Sequence, residues 1–269
     1  MNFYIDNDNK AHFSTYIASA STDSYYTTRV SEYQSLIQEA AALHATYRSV
    51  GIPDLQKEGK TWVIARSRME AFHYGSWRDS VEVTTWAQKP QGLNCPRVVE
   101  AIDQDGNKLF HAMTRWAIID TVNGRPLRPG FVSDILKTVT ESEEEEAKLP
   151  SLMTYKEEAP TLLRTYSVRI HYLDTDYNHH VNNRSYTNWI LEALPNEFMD
   201  SYKPSLLDVK WGMQSFRHDN LEVRVMGKDE NAFIEAEPHL FFEIIRKECD
   251  GSENTVFEAY SEWKKRELF

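Results

Sequence analysis

YQSLIQEA, residues 33–40, is repeated further along the chain as YTNWILEA, residues 186–193. Both stretches follow the pattern Tyr-x-x-apolar-Ile-x-Glu-Ala, which places the apolar side chains on one face of a helix. A repeat of this kind within one chain indicates two copies of the same structural unit in tandem. The residues that follow each copy test this interpretation.

Two further pairs of segments repeat in the same order. RDSVEV at residues 78–83 corresponds to HDNLEV at 218–223, and FHAMTRW at 110–116 corresponds to FEAYSEW at 257–263. Each member of the last pair follows an Asp-Gly dipeptide, the usual signal for a short hairpin turn. Each half is therefore predicted to be a long helix followed by antiparallel strands, an α+β arrangement in which the helix packs on the sheet.

The predicted helices span residues 29–49 and 182–194, and the second ends at Pro195. An acidic stretch that includes Glu141–Glu146 separates the two halves. We therefore expect an N-terminal half at residues 1–130, an exposed acidic linker with a short helix at 131–162, and a C-terminal half at 163–269. The strands are predicted at residues 61–73, 80–88, 97–103, 108–120, 166–172, 205–216, 220–225, 233–247 and 255–264.

The composition is that of a globular protein in a reducing compartment. A net charge of −11 argues against broad nucleic-acid binding, and no apolar run approaches the roughly 18 residues that a membrane span needs. Two cysteines argue against a disulfide framework, and the first ten residues lack the apolar core of a signal peptide. We expect a cytoplasmic protein that needs neither a metal nor a cofactor.

The densest polar cluster is DTDYNHHVNN, residues 174–183, which lies just before the second predicted helix. Histidine exchanges a proton near neutral pH, so His180 is the predicted base that activates water. Asn178 is predicted to orient that water or to donate to a carbonyl oxygen, and Asp176 to fix the orientation of a partner. N–H groups at the helix start are expected to hold an oxyanion, while Asn182 or its neighbour caps the helix.

The repeat provides an internal comparison for this cluster. When the two helices are aligned on their first tyrosines, Asp176 falls opposite Asp23 and His180 falls opposite Thr27. Asn178 falls opposite Tyr25, so only the second copy has both the asparagine and the histidine. We therefore expect one active site per chain, in the C-terminal half, and a non-catalytic N-terminal half.

The run DxDxNxHVNNxxYxxWILE, residues 174–192, resembles the signature of the acyl-ACP thioesterases. WVIAR at residues 62–66 and DSVEVTTW at 79–86 resemble the N-terminal half of that family, so the similarity covers nearly the whole chain. The resemblance implies a tandem double hot-dog fold, in which each half is a long helix wrapped by an antiparallel sheet. It also implies hydrolysis of a fatty acyl thioester, with Asp176, Asn178 and His180 at the matching catalytic positions.

The partner implied by the resemblance is acyl carrier protein bearing a phosphopantetheine-linked acyl chain. No plastid transit segment is apparent, so the bacterial branch of the family is expected. Plant members also use a Glu-Cys pair, but the corresponding stretch here is VKWGMQS, residues 209–215. This departure argues against a thiolate nucleophile and leaves Gln214 as a candidate to orient water.

A hot-dog sheet packed on its helix leaves an apolar slot suited to an acyl chain. The candidate lining residues in the first half are Trp62, Ile64, Met69 and Phe72. An acidic carrier protein requires a local basic surface, for which the candidates are Arg66, Arg68, Arg78 and residues 264–266 (KKR).

Several alternatives stay open at this point. The motif does not separate acyl-ACP from acyl-CoA as the substrate. A hot-dog dehydratase fits less well, because those enzymes rely on a histidine with a carboxylate across an interface. The missing Glu-Cys pair favours a non-catalytic acyl-binding protein, whereas the intact Asp-x-Asn-x-His pattern opposes it. A monomer and a homodimer are both compatible with the sequence.

Overall fold

The computed structural model describes residues 2–138, 149–176 and 180–266. The chain divides into two compact units, Met1–Leu149 (unit 1) and Pro150–Phe269 (unit 2), so the division falls inside the predicted linker. The acidic run at residues 141–146, where a short helix was expected, lies outside the described residues.

Unit 1 is one long helix packed on an antiparallel sheet. The sheet order is β1-β2-β4-β5-β6-β3, with β7 paired to β6, and α1 contacts β2, β4 and β5. The elements are β1 (Phe3–Ile5), β2 (Ala11–Tyr16), α1 (Val30–Tyr47), α2 (Ile52–Gln56), β3 (Lys60–Ala71), β4 (Ser80–Ala87), β5 (Cys95–Asp103), β6 (Lys108–Asp120), β7 (Pro126–Leu127) and α3 (Gly130–Leu136).

Unit 2 repeats this plan with a shorter helix. Its antiparallel sheet has the order β9-β12-β11-β10-β8, and α5 contacts β10. The elements are α4 (Leu152–Glu158), β8 (Thr161–Val168), α5 (Asn183–Glu192), α6 (Asn196–Ser201), β9 (Tyr202–Trp211), β10 (Leu221–Gly227), β11 (His239–Lys247) and β12 (Glu253–Lys265). Each unit thus has the helix-on-sheet α+β arrangement predicted from the repeat.

Equivalent residues of the repeat build equivalent cores. In unit 1 the buried ring of Tyr33 packs on Phe110 with centroids 5.0 Å apart. In unit 2 the buried ring of Tyr186 stacks on Phe257 at 5.4 Å. The helix tyrosine and the strand phenylalanine occupy matching places in the sequence repeat, so the helix is fixed on the sheet by the same pair in both units.

Three predicted strand boundaries are wrong, in each case where a turn interrupts an apolar pattern. The strand predicted at 166–172 ends at Val168, because a 3-10 turn forms at Tyr172–Asp174 and the Asp174 carboxylate accepts the N–H of His171 at 2.7 Å. The strand predicted at 233–247 begins only at His239, after another 3-10 turn. The strand predicted at 205–216 runs instead over Tyr202–Trp211.

Among the described residues, no helix combines the length and the apolarity that a membrane crossing requires.

Candidate active site

The loop that precedes α5 is held by backbone hydrogen bonds on both sides. The N–H of Asp176 donates to the carbonyl of His180 at 2.9 Å, and the N–H of Asn182 donates to the carbonyl of Asp174 at 2.7 Å. The N–H of Val181 donates to the carbonyl of Ser215 at 2.9 Å, which ties the loop to the segment after β9. The backbone at His180 is therefore fixed from two directions, immediately before the helix.

Asn182 caps α5, as predicted. Its side-chain oxygen accepts the N–H of Arg184 at 2.9 Å, and its carbonyl accepts the N–H of Ser185 at 2.9 Å. The role of the helix-start N–H groups in holding an oxyanion stays a prediction, and these two groups already have acceptors within the cap. A carbonyl oxygen of a substrate would have to displace the cap to use them.

His180 is half-buried, and its ring meets the edge of Phe216 with centroids 5.1 Å apart. Asp176 is also half-buried, and its backbone pairs with that of His180, so these two predicted site residues lie in one loop. Asn178, the third predicted residue, lies outside the described residues. The imidazole is thus partly open to solvent and supported by an aromatic ring on one side.

Unit 1 contains the same loop before α1. The N–H of Asp23 donates to the carbonyl of Thr27 at 2.8 Å, and the N–H of Arg29 donates to the carbonyl of Ser21 at 3.0 Å. The N–H of Thr28 donates to the carbonyl of Gly75 at 2.8 Å. These bonds match those at Asp176, Asn182 and Val181 one for one. The register that placed Asp23 opposite Asp176 and Thr27 opposite His180 is therefore confirmed.

The carboxylate of Asp23 shows what an aspartate does at this position. It accepts the N–H of Tyr25 at 2.9 Å, the N–H of Thr27 at 3.1 Å and the Thr27 hydroxyl at 3.1 Å. Short polar side chains commonly organise loops in this way, by accepting N–H groups two to four residues onward. Asp23 is thus a loop-forming residue, and Asp176 occupies the same place in the second loop.

The helix tyrosine supports the same turn in each unit. Tyr33 donates to the carbonyl of His73 at 3.0 Å and accepts the N–H of Gly75 at 3.0 Å. In unit 2, burial raises the pKa of Tyr186, and interaction with Ser215 opposes that rise. Ser215 matches Gly75 in the repeat, so the two tyrosines lie at equivalent places beside the turn that holds the pre-helix loop.

Sequence reasoning missed the supporting turn, Ser215–Phe216. Its conformation is set by Asp219, whose carboxylate accepts the N–H of Phe216 at 2.9 Å. In unit 1 the Asp79 carboxylate accepts the N–H of Ser76 at 2.6 Å. The conserved spacing of these two aspartates within the repeat was the signal that could have identified the turn.

Gln214 is exposed and stands next to Ser215 in this turn. Its backbone carbonyl accepts from the Arg246 guanidinium at 3.2 Å. The segment that includes Gln214 therefore runs beside the His180 loop, and the side chain faces solvent.

Three of the four predicted lining residues share one face of β3. Trp62, Ile64 and Met69 pair with Ile118, Trp116 and Ala112 of β6, which alternate along one face of that strand. An irregularity in β3 between Ile64 and Arg66 keeps all three on that face. Phe72 lies beyond the end of β3 and is 58% exposed, so the structure separates it from the others.

The two cysteines do not resemble a catalytic thiolate. Cys95 is buried in β5 of unit 1, and burial raises the pKa of its thiol to about 12, so it stays protonated at neutral pH. Cys249 is exposed in the turn between β11 and β12. Neither lies in the His180 loop or in the Ser215–Phe216 turn.

Comparison with known proteins matches both units. The acyl-ACP thioesterase N-terminal domain matches residues 9–135, and the acyl-ACP thioesterase C-terminal domain matches residues 155–265. The oleoyl-acyl carrier protein thioesterase of Coriandrum sativum is 26% identical over 211 residues, which cover 72% of this chain and 56% of that protein. The chain thus spans about half the length of this curated relative.

Solved structures show the same fold at low identity. The crystal structure of an acyl-ACP thioesterase from Bacteroides thetaiotaomicron superposes with a TM-score of 0.79 at 20% identity, covering 96% of this chain and 98% of the other. The 12:0-ACP thioesterase from Umbellularia californica gives a TM-score of 0.78 at 21% identity, covering 96% and 95%. With both characteristic domains matched in order along a tandem hot-dog chain, this protein belongs to the acyl-ACP thioesterase family.

Proposed function

We propose that the chain hydrolyses the thioester of fatty acyl-acyl carrier protein and releases the free fatty acid, with water as the attacking group. Family membership through both domains supports the reaction class. The pre-helix loop of unit 2 supports the location of the chemistry, because it alone combines the family's Asp, Asn and His positions.

In the proposed mechanism, the neutral imidazole of His180 takes a proton from water as the water oxygen attacks the thioester carbonyl. The amide of Asn178 donates a hydrogen bond to the carbonyl oxygen, which becomes negatively charged in the tetrahedral intermediate. When the intermediate collapses, the C–S bond breaks and His180 returns the proton to the departing thiolate. The products are a carboxylic acid, which then ionises, and the free thiol of the carrier.

Asp176 is proposed to position the loop rather than to touch the substrate. Its counterpart Asp23 gives its carboxylate to backbone N–H groups two and four residues onward. We propose the same organising role for the Asp176 carboxylate in the second loop. Asp176 therefore acts through the placement of Asn178 and His180.

One observation favours this assignment most: the two pre-helix loops have the same backbone hydrogen bonds but different side chains. The loops before α1 and α5 share three matching backbone hydrogen bonds. Thr27 in the first is replaced by His180 in the second, and Tyr25 by Asn178. Since the loop forms without the histidine and the asparagine in unit 1, loop formation does not explain their presence in unit 2.

For the acyl chain, we propose contact with Trp62, Ile64 and Met69 on the inner face of β3. Ile64 and Met69 are buried, and Trp62 packs against the apolar cluster that includes Val50 and Ile118. Phe72 remains a candidate only for a surface contact, because its ring is exposed.

Gln214 remains a candidate for orienting water, and a cytoplasmic location remains a prediction from the cysteine content.

The test uses the purified full chain with palmitoyl or shorter acyl groups presented on acyl carrier protein and, separately, on coenzyme A. Release of free thiol is followed with a chromogenic thiol reagent. We expect turnover of acyl-ACP with a higher kcat/KM than of the matched acyl-CoA. A preference for acyl-CoA would support the second enzyme candidate, and tight acyl binding without thiol release from either carrier would show a non-catalytic protein.

A further inference from the structure

An exposed surface with mixed apolar and basic character borders His180. It consists of Arg169, His171, Tyr172, Leu173, Phe216 and Arg217, here called the His180 rim. Leu173 is 88% exposed and Tyr172 is 73% exposed, although both are large apolar side chains. Exposed aromatic and aliphatic side chains that lie together beside a reactive group are typical of an interaction surface.

The two halves of the rim come from different loops but are contiguous. The guanidinium of Arg217 lies 6.0 Å from the centre of the Tyr172 ring. Phe216 meets the ring of His180 at 5.1 Å, and the neighbouring Ser215 carbonyl accepts the N–H of Val181. The rim is therefore one surface built on the same hydrogen bonds that hold the candidate catalytic loop.

The rim is locally basic within an acidic chain. Arg169 and Arg217 are exposed, and neither forms an ion pair with any residue in the described ranges. The nearby carboxylates are engaged by backbone: Asp174 accepts the N–H of His171, and Asp219 accepts the N–H of Phe216. Asp219 also lies 3.5 Å from Arg246. Both carboxylates keep their negative charge but are only partly exposed, so the exposed charged side chains of the rim are Arg169 and Arg217.

We propose that the His180 rim is the docking surface for the acidic acyl carrier protein, a proposal that rests on the proposed function. A carrier presents its thioester at the end of a flexible phosphopantetheine arm, so its docking surface must lie within reach of that arm from the group that activates water. Arginine and tyrosine are enriched where proteins associate, and opposite charges raise the rate of encounter. Leu173 and Tyr172 provide the apolar contact at the centre of the rim, and Arg169 and Arg217 face the acidic side chains of the carrier.

Arg66 and residues 264–266, which were also basic candidates, do not meet this requirement. Arg66 is buried, and the Arg266 guanidinium is bonded to the carbonyls of Met199 and Tyr202. Lys264 and Lys265 lie at the end of β12, beside the start of β9, because Lys265 pairs with Tyr202. The His180 loop is tied to the segment after the other end of β9, roughly 30 Å along the strand. The lysine pair thus provides a charge-matched control within the same unit.

The test compares Arg169→Glu/Arg217→Glu with Lys264→Glu/Lys265→Glu, two double variants that change the net charge equally. Fluorescence anisotropy measures the affinity of each full-length protein for labelled holo-acyl carrier protein, a readout that requires no turnover. We expect the rim variant to bind at least about tenfold more weakly, as for loss of charge steering and contact at an interface. The lysine variant should bind like wild type, and a Leu173→Ser variant should weaken binding without any change of charge.

Hydrolysis of acyl-pantetheine, an uncharged substrate with the same arm, checks the active site separately. The rim variant should retain wild-type kcat/KM on acyl-pantetheine and lose it on acyl-ACP. Equal carrier affinity for the rim and lysine variants would overturn the docking proposal, as would a wild-type protein that does not bind the carrier. Failure of wild type to release thiol from any acyl thioester, with carrier binding intact, would instead contradict the proposed function.

Discussion

The loops before α1 and α5 have the same backbone hydrogen bonds and different side chains. In unit 1 the hydroxyl of Thr27 turns back to the Asp23 carboxylate at 3.1 Å and the residue is buried. In unit 2 the ring of His180 turns outward against Phe216 and is half-buried. Both loops keep the aspartate and the backbone bonds, whereas the residue four positions onward differs between them.

His44 of unit 1 and His180 of unit 2 also differ in their exposure to solvent. His44 in α1 is fully buried and accepts from the Arg97 guanidinium at 3.0 Å. Burial, with the nearby Arg97 charge, lowers its pKa to about 3, so this histidine is neutral and remote from water. His180 stands in a partly open loop, where a base must be to reach water. Histidine content alone therefore does not make unit 1 a second active site.

The largest expected effect is that of His180→Ala. Removal of the base should lower kcat/KM on acyl-ACP by about 10²–10⁴-fold. Thr27→Ala is the matched control, because it removes the residue at the same position of the first loop. Thiol release by Thr27→Ala should stay within a few-fold of wild type. A similar loss of activity in both variants would mean that the two loops do not differ in their contribution to catalysis.

Asp176→Ala should have the next largest effect. If the carboxylate positions the loop, its loss displaces His180 and Asn178, and a displacement of about 1 Å is enough to cost on the order of 10²-fold in rate. The loss should appear in kcat, with acyl-ACP affinity nearly unchanged. Asp176→Asn, which keeps one acceptor oxygen, should recover part of the rate, and failure of this variant to recover any rate would point to a direct role of the charge.

Asp23→Ala should act on stability and spare catalysis. The substitution removes the acceptor for two backbone N–H groups and one hydroxyl. Hydrogen bonds to a charged group contribute roughly 1.5–3 kcal/mol, so the free energy of unfolding of unit 1 should fall by about that amount. Urea denaturation measures the loss. A large drop in kcat of the still-folded protein would show that the first loop takes part in the chemistry.

The smallest effect concerns acid stability through His44. The folded state keeps this group neutral down to its pKa of about 3, whereas the unfolded chain takes up a proton near 6.5. Between these values the unfolded state binds more protons, so stability is complete above pH 6.5 and falls below it by up to about 1.4 kcal/mol per pH unit. Urea midpoints at pH 7 and 5.5 should differ more in wild type than in His44→Gln, because only wild type loses stability through this group as the pH falls. Equal pH dependence in the two proteins would contradict the buried, neutral assignment.

Much of the fold was predictable because the same pattern of helix and strand residues occurs twice in the chain. The helix predicted at 29–49 spans Val30–Tyr47, and the strand predicted at 108–120 spans Lys108–Asp120. The strand predicted at 166–172 failed because apolar residues at 170, 172 and 173 extend its pattern into a 3-10 turn that Asp174 stabilises through a local hydrogen bond. Side-chain-to-backbone bonds of this kind leave no periodic trace in a sequence.

The sequence predicted which polar residues lie together in the candidate site, but it did not predict the contacts that hold them. The polar run placed Asp176 and His180 in one loop, as the structure does. It left open which of two neighbouring asparagines caps α5, and it could not show that Ser215 and Phe216 support the loop from a distant strand end. The cap depends on a choice among several acceptors for one donor. The supporting turn depends on contacts between segments that are far apart in the chain.

The exchange variant Thr27→His/His180→Thr tests whether the chemistry belongs to the loop of unit 2 alone, with one active site per chain. Thiol release from acyl-ACP is measured for this variant and for His180→Thr. Turnover should be equally low in both, because the first loop has Tyr25 in place of Asn178 and a buried side chain at position 27. Recovery of the exchange variant to within a few-fold of wild type would show that the first loop can also act as an active site.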